Sequence, residues 1–419
     1  MAKLHVAAVS RKKTIRNQNF TKSFLIVLIF LLAPELMAQN GSNEPATRTE
    51  QIQAERADKA VNSRPGDSST VEKYFGRIED VLIGSPIRIG VEGRGPGGGL
   101  TVGSVFNWSS YGDRVRSKLW GNITINRFYE VGTGVELPHV GGHDLSFALE
   151  AWHQDAPQLE YFGSGNDSSV NNRTDYRRED TVLEFRVRFS PHRRVTSSCA
   201  LQQVWLNVGP GTNGNLPSTE QVFGPLEAPG IDVQSNYLIG GCAAQFDGTE
   251  YYNDPHTGTY AAAGYDRYHA EEHDRFSFNR FDAAVEHYIP FFNDKRVIAL
   301  FGRTVLSWHS RDQVVPFYLQ TTLGSDRTLR GFRRYRFYGE NSILFNAEYR
   351  WQVNTGFDMA LFGDSGRVFN KPGEISLSNP QTSAGFGLRF KGQKGVAVRF
   401  DIGFSREGGQ IWLRFGNLY

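Results

Sequence analysis

From about Ile87 onward, apolar and polar residues alternate with a period of two, the mark of strands whose two faces meet unlike surroundings. Residues 181–189 place Val182, Glu184, Arg186 and Arg188 on one face and Leu183, Phe185, Val187 and Phe189 on the other. Residues 343–351 set Leu344, Asn346, Glu348 and Arg350 against Ile343, Phe345, Ala347, Tyr349 and Trp351. The habit returns in 394–405 and 410–415. The spacing predicts strands over 87–93, 99–108, 114–120, 123–138, 143–154, 178–190, 194–209 and 232–247. Eight more follow over 257–269, 275–290, 296–309, 341–353, 356–368, 382–391, 395–406 and 409–418. Gly121-Asn122 is the expected turn between the third and fourth.

Short connections (190–193, 290–295, 353–355, 391–394) alternate with long ones (154–178, 209–232, 310–341). Short periplasmic turns opposite long outer loops, with one apolar, aromatic face and one polar face per strand, describe a transmembrane barrel. The expected fold is therefore all-β: a closed, antiparallel transmembrane barrel of about sixteen strands over residues 85–419. A soluble sandwich or propeller also alternates. The export signal, the aromatic content and the loop asymmetry favour the membrane.

That signal lies at the start. The one continuously apolar run, 24–33, follows Lys3, Arg11, Lys12, Lys13, Arg16 and Lys22 and precedes Leu36-Met37-Ala38. A basic region, a short apolar region and a small residue make a secretory signal peptide over 1–38, cleaved after Ala38. The run falls short of the ~20 residues a membrane helix needs. The rival is an uncleaved anchor. Residues 39–84 are polar, with one weakly amphipathic piece at 51–60, and read as a periplasmic linker. Forty-five Gly, thirty Phe and seventeen Tyr beside three Met suit turns and aromatic girdles better than helical cores. A mean hydropathy of −0.43 is compatible with a barrel whose every second residue faces a polar lumen. Lys and Arg number 46 against 44 acids, which argues against nucleic-acid binding.

Two motifs carry a resemblance. Thr328-Leu329-Arg330-Gly331-Phe332 sits in the long connection 310–341, and Phe362-Gly363-Asp364-Ser365-Gly366 lies two strands later. They resemble the R-G-[FY] motif of outer loop six and the F-x-D-x-G motif of strand thirteen in the bacterial surface antigen barrels. That superfamily holds the BamA and TamA outer-membrane assembly factors and the two-partner secretion transporters. Tyr161-Phe162-Gly163-Ser164-Gly165-Asn166 is similar to the family's Y-[YF]-G-x-G-N stretch, and Asn253-Asp254-Pro255-His256-Thr257-Gly258 to its D-P-x-x-x-G turn. On the predicted strands, Arg330 falls in outer loop six and Asp364 on strand thirteen.

A loop bearing Thr328, Arg330, Arg333, Arg334 and Arg336 cannot rest on lipid, and a guanidinium inside a barrel wants a carboxylate for a bidentate bond. Asp364 is one candidate. Glu348, on the lumen face of the neighbouring strand, is another. The resemblance implies the same: the loop-six arginine folds into the lumen and meets these acids, with Gly331, Phe332 and Gly366 completing the two motifs. It also implies a part in outer-membrane assembly or translocation, with unfolded outer-membrane or secreted proteins as clients and outer-membrane lipids around the wall. The chain departs from family members that insert proteins, which usually carry POTRA domains of ~75 residues, a small-domain length. About 40 residues separate the signal from the barrel, so client capture by strand addition has no obvious seat. A passive pore or structural barrel is the rival function.

Other motifs carry less. Gly363-Asp364-Ser365-Gly366 copies a serine-protease string, but within a strand and with no companion His and Asp assigned. His269-Ala270-Glu271-Glu272-His273 has a zinc-peptidase order yet falls in a hairpin loop, where the two His cannot share a helical face. Gly93-Arg94-Gly95-Pro96-Gly97-Gly98-Gly99 lacks the helix start of a phosphate cradle. No enzyme activity, cofactor or metal site is expected. Cys199 and Cys242 fall opposite one another on adjacent strands and are candidates for a cross-strand disulfide. The C-terminal strand ends in Tyr419, though its alternation stops at Phe415.

Overall fold

A computed structural model describes residues 87–92, 101–142, 144–250, 254–375, 378–392 and 395–415. The proposed signal peptide and linker, the glycine run at 93–99 and the last four residues lie outside them. Strands begin with β1 (Ile87–Glu92), β2 (Thr101–Ser110), β3 (Val115–Thr124), β4 (Tyr129–Leu137), β5 (Leu145–Tyr161) and β6 (Thr174–His192). They continue with β7 (Val195–Pro210), β8 (Tyr237–Asp247), β9 (Gly258–Ala270), β10 (Phe278–Phe291) and β11 (Arg296–Trp308). A small hairpin, β12 (Thr321–Leu323) and β13 (Phe337–Gly339), stands apart from the wall. The rest are β14 (Asn341–Asn354), β15 (Phe357–Phe369), β16 (Gln381–Gly392), β17 (Gly395–Ser405) and β18 (Gly408–Phe415).

Apart from β12 and β13, these strands form one sixteen-stranded sheet in which each pairs antiparallel with its neighbours in chain order. The sheet rolls until β1 comes beside β18. Among the described residues no helix is long and apolar enough to cross a membrane.

Burial is inverted relative to a soluble protein. Leu183, Phe185, Phe189, Leu201, Trp205, Leu300, Phe345, Leu361 and Leu413 are exposed on the outer wall, while Glu184, Glu348, Asp364, Arg389 and Asp401 are buried inside. Apolar side chains turned outward and charges turned inward are stable when the surroundings are hydrocarbon. Within the sheet each strand pairs with its chain neighbours, and the two end strands, β1 and β18, are brought together at a seam. At the long-loop end a second apolar mass gathers: Tyr161 packs on Phe223, Phe317 and Tyr338 at 4.8–5.1 Å between ring centres. It forms a dome of outer loops above the wall.

Two expectations need correction. The turn between the third and fourth strands lies at 125–128, not at Gly121-Asn122; Gly121 pairs with both Ser104 and Val131. The turn is set by Thr124, whose hydroxyl accepts from the Phe128 amide at 3.1 Å, and by Arg127 in the left-handed region (φ 64). The connection expected over 154–178 is largely strand: pairing continues to Tyr161↔Thr174 past a register shift between Ala156 and Leu159. There one face packs under the outer loops instead of facing a lumen and polar residues fall on both faces, so the alternation fades while the ladder persists. Arg177 there clasps Asp155 through Nε and Nη2 at 2.9 and 2.8 Å.

Cys199 pairs with Cys242 across β7 and β8, and their sulfurs are bonded. The bridge closes a segment of sequence separation 43, worth about 4 kcal/mol on the chain-entropy view. It is expected that a thiol reagent labels neither cysteine without reductant and both after reduction and unfolding. Two reactive thiols in the unreduced protein would contradict the bridge.

Candidate functional site

The segment 309–340 joins β11 to β14 and is the sixth outer loop of the barrel. It enters the lumen instead of standing above it. Pro316 starts a short 3-10 turn at Phe317–Leu319, β12 and β13 form the loop's stem, and 324–336 make its tip. Gly324 turns the chain with φ +103, its amide bonds to the Thr328 hydroxyl (3.0 Å), and its carbonyl accepts from the Tyr335 amide (3.0 Å). Leu329, Phe332 and Phe337 are fully buried against Leu323, Leu344 and Val368. Apolar packing thus holds the loop against the inner wall before any charge is counted.

Arg330 is at the tip, 3 % exposed. Its Nη2 donates to Asp364 Oδ1 at 2.7 Å, its Nε reaches both Asp364 oxygens at 3.1 Å, and its backbone amide meets Oδ2 at 2.9 Å. Its Nη1 donates to Glu348 Oε2 at 2.6 Å. The guanidinium lies 3.4 Å from the centre of the Phe362 ring. Asp364 also accepts from Ser383 Oγ (2.9 Å) and Asn346 Nδ2 (2.6 Å), so both of its oxygens are fully used. The strand register explains the meeting: Asn346 faces Asp364, and Glu348 faces Phe362, across β14 and β15.

The motif glycines serve close approach. A Cβ on Gly331 would lie 2.5 Å from the Phe404 carbonyl oxygen, so the loop tip lies flat on β17. Gly403 opposite would clash with the Arg330 carbonyl in the same way. Gly366 has Leu323, Leu344 and the Ile343 carbonyl at 3.0–3.2 Å from its would-be Cβ, where the stem crosses β15.

Around this pair is a cluster that motif reading missed. Glu348 takes Arg350 Nε at 2.8 Å, Arg389 Nη2 at 3.0 Å and Arg399 Nη2 at 3.2 Å besides Arg330. Asp401 takes Arg389 Nη1 and Arg399 Nε, both at 2.7 Å. Arg399 and Asp401, two apart on β17, share the lumen face. That spacing was the available signal, but nothing in it indicates that the curvature of the sheet carries Arg399 to Glu348 on β14, three strands away. The tip is tied to the last hairpin as well. Trp412 Nε1 donates to the Arg330 carbonyl (2.7 Å), Ser405 Oγ to the Gly331 carbonyl (2.7 Å), and Arg336 Nε to Glu407 (2.8 Å).

The other motifs fall apart from this centre. Tyr161-Phe162-Gly163-Ser164-Gly165-Asn166 packs on the loop stem, where the Gly165 amide donates to the Tyr338 carbonyl at 2.7 Å. His269 lies in β9, one residue before its end, while His273 precedes a 3-10 turn, and Glu272 accepts from Ser235 and Asn236. The two His therefore share no helical face. Asp254 and His256, in the turn after β8, reach across the short-turn mouth toward β15 and β16. Lys391 Nζ lies 2.6 Å from both Asp254 and Asp358. Asp254, His256 and Asp358 could surround a metal ion, but the ammonium already supplies a cation between the two carboxylates.

Two outcomes are expected. Removing one partner of a buried ion pair costs about 3–5 kcal/mol, because the other charge is stranded. Arg330→Ala and Asp364→Asn should each lower the temperature at which the folded, fast-migrating band is lost on gels. Unchanged migration in both would show the pair to be idle. At the short-turn mouth, burial raises the Asp254 carboxyl, but the His256 hydrogen bond and the Lys391 ammonium outweigh it and hold it at about 2. A depressed carboxylate contributes fully above the ordinary Asp value near 3.9 and loses that contribution as pH falls toward 2. Hydrogen-exchange protection of the turn amides should therefore persist from pH 7 to about pH 4 and be lost at pH 7 in Lys391→Ala. Loss by pH 5 in the unaltered chain would refute this.

Comparison with known proteins places the geometry. Residues 140–415 match the Omp85 superfamily domain. The fold is similar to BamA from Haemophilus ducreyi lacking POTRA domains 1-3, at a TM-score of 0.59 and 13% identity over 86% of this chain and 80% of that one. It is also similar to CdiB from Escherichia coli, at a TM-score of 0.51 and 12% identity over 79% of this chain and 62% of that one. No curated protein matches the sequence significantly. With an inward loop six, a polar lumen and a domain match across most of its length, this bacterial outer-membrane barrel belongs to the Omp85 superfamily.

Proposed function

We propose that the barrel acts in assembly or translocation of proteins at the outer membrane, with unfolded outer-membrane or secreted chains as clients and membrane lipids around its wall. The signal peptide would deliver it to the periplasm. The observation that carries this reading is the attachment of loop six to the last hairpin. Arg330, Gly331 and Arg336 bond to Trp412, Ser405 and Glu407, all on or between β17 and β18. Because β18 borders β1, the lock braces the strand beside the seam.

In this mechanism loop six keeps the last hairpin in register, and β1 with β18 supplies the part of the wall able to part for a client strand. Backbone donors and acceptors exposed there would pair with an incoming extended chain. No catalytic step is assigned, and Asp364 of the Gly-Asp-Ser-Gly string is committed to Arg330.

Depletion of the protein should lower the amount of other folded outer-membrane proteins or of a secreted partner, and Arg330→Ala should fail to restore it. The purified barrel should show a fluctuating, low conductance in planar bilayers. A steady pore together with normal levels of other barrels on depletion would overturn the proposal and leave a passive or structural barrel.

A further inference from the structure

Between the tip of loop six and Pro255 in the turn after β8 lies a lumen chamber of about 600 Å³. Six arginines line it against three carboxylates. Some of that excess is answered by acids that do not line the chamber. Arg330 has Asp364, Arg399 has Asp401, and Arg303 has Asp282. Arg350 and Arg414 must share. Among the described residues the carboxylate paired with Arg350 is Glu348, which three other guanidiniums also claim. Among the described residues the carboxylate paired with Arg414 is Asp326, at 3.3 Å, which Arg334 also claims at 3.2 Å.

The geometry of the sharing matters as much as the count. The closest approach of Arg350 to Glu348 and of Arg414 to Asp326 is through Nε, and both side chains line the chamber. Two guanidiniums that are mostly buried in one lumen chamber with too few counter-charges make a receptor for an oxyanion. A guanidinium presents parallel donors that fit two oxygens of one tetrahedral group, which chloride cannot satisfy. Confinement away from bulk water also strengthens the attraction. We infer that this chamber binds a small, multiply charged oxyanion of the phosphate class, seated between Arg350 and Arg414. The group would arrive as a free anion from the short-turn side or as the phosphate of a lipid headgroup.

Calorimetric titration of the full-length barrel in uncharged detergent with pyrophosphate, at constant ionic strength set with chloride, tests this. Saturable one-site binding is expected. Arg414→Gln and Arg350→Gln should each weaken it at least tenfold, whereas Arg186→Gln, a lumen arginine on β6 paired with Glu184, should leave it unchanged. Since Arg350 also supports Glu348, the Arg414 variant is the decisive one, and its folded gel migration must match the parent. Displacement of pyrophosphate by phosphatidylglycerol but not phosphatidylcholine in mixed micelles would assign the site to a headgroup. Displacement by neither would assign it to a free anion. Absent saturation, or equal affinity in Arg414→Gln, overturns the inference.

Discussion

Hydrocarbon offers the backbone no hydrogen-bond partner, and that constraint dictates the rest of this molecule. Every amide and carbonyl in the bilayer must find a partner within the wall, so sixteen strands pair in chain order and roll until the first stands beside the last. Once rolled, the wall separates two surroundings. Its outer face can carry Phe185, Phe345 and Leu361 because lipid accepts them. Its inner face must be filled by polar groups that satisfy one another. Charges inside are therefore a consequence of closure, and their pairing is its energetic condition.

The inner face meets that condition unevenly. Asp364 is saturated by Arg330, Ser383 and Asn346, a closed local set. Glu348 is the opposite, a single carboxylate among four guanidiniums that cannot neutralise them alone. A buried charge without full compensation is costly, so a cluster of this kind persists only where the surrounding packing is stiff or a further counter-charge is present. Stiffness comes from Gly331 and Gly403, whose missing side chains let the loop backbone lie directly on β17. Larger residues there would lift Arg330 away from Asp364 without altering either charge.

Much of this was legible in the residues because a membrane-crossing strand has a strict period. Strands β11 and β14 to β17 fall within a residue of the alternation in 296–406. The period failed where its physical cause failed. The upper parts of β5 and β6 stand above lipid and carry polar residues on both faces, so they read as loop. Gly121 looked like a turn because glycine in isolation signals one, but there it lies within a ladder. Arg330, Asp364 and Glu348 could be named because they sit in motifs or on a clear lumen face. Arg389, Arg399, Asp401 and Trp412 could not, since a lumen-facing charge on a strand looks alike whether it meets water or a distant carboxylate. Only closure decides which strands face each other. The tie from Asp254 to Lys391 across the short-turn mouth was hidden for the same reason.

The loop-six contacts join two parts of the barrel that could otherwise move separately. At its stem, Tyr338 packs in the outer dome on Tyr161, and its hydroxyl donates to the Glu160 carbonyl at 2.8 Å. At its tip, Arg330 and Gly331 are bonded to the β17–β18 hairpin. Arg336, between the two, spans from Ser168 in the dome to Glu407 in the hairpin turn. A displacement of β18 away from β1 must therefore either break these bonds or carry the tip with it. Breaking them takes the Trp412 and Ser405 donors from the Arg330 and Gly331 carbonyls and Glu407 from Arg336, whereas carrying the tip disturbs the packing of Phe332 and Leu329. Both routes are uphill, and a ligand or client can open the seam only by binding the open state better than the closed one by more than that cost.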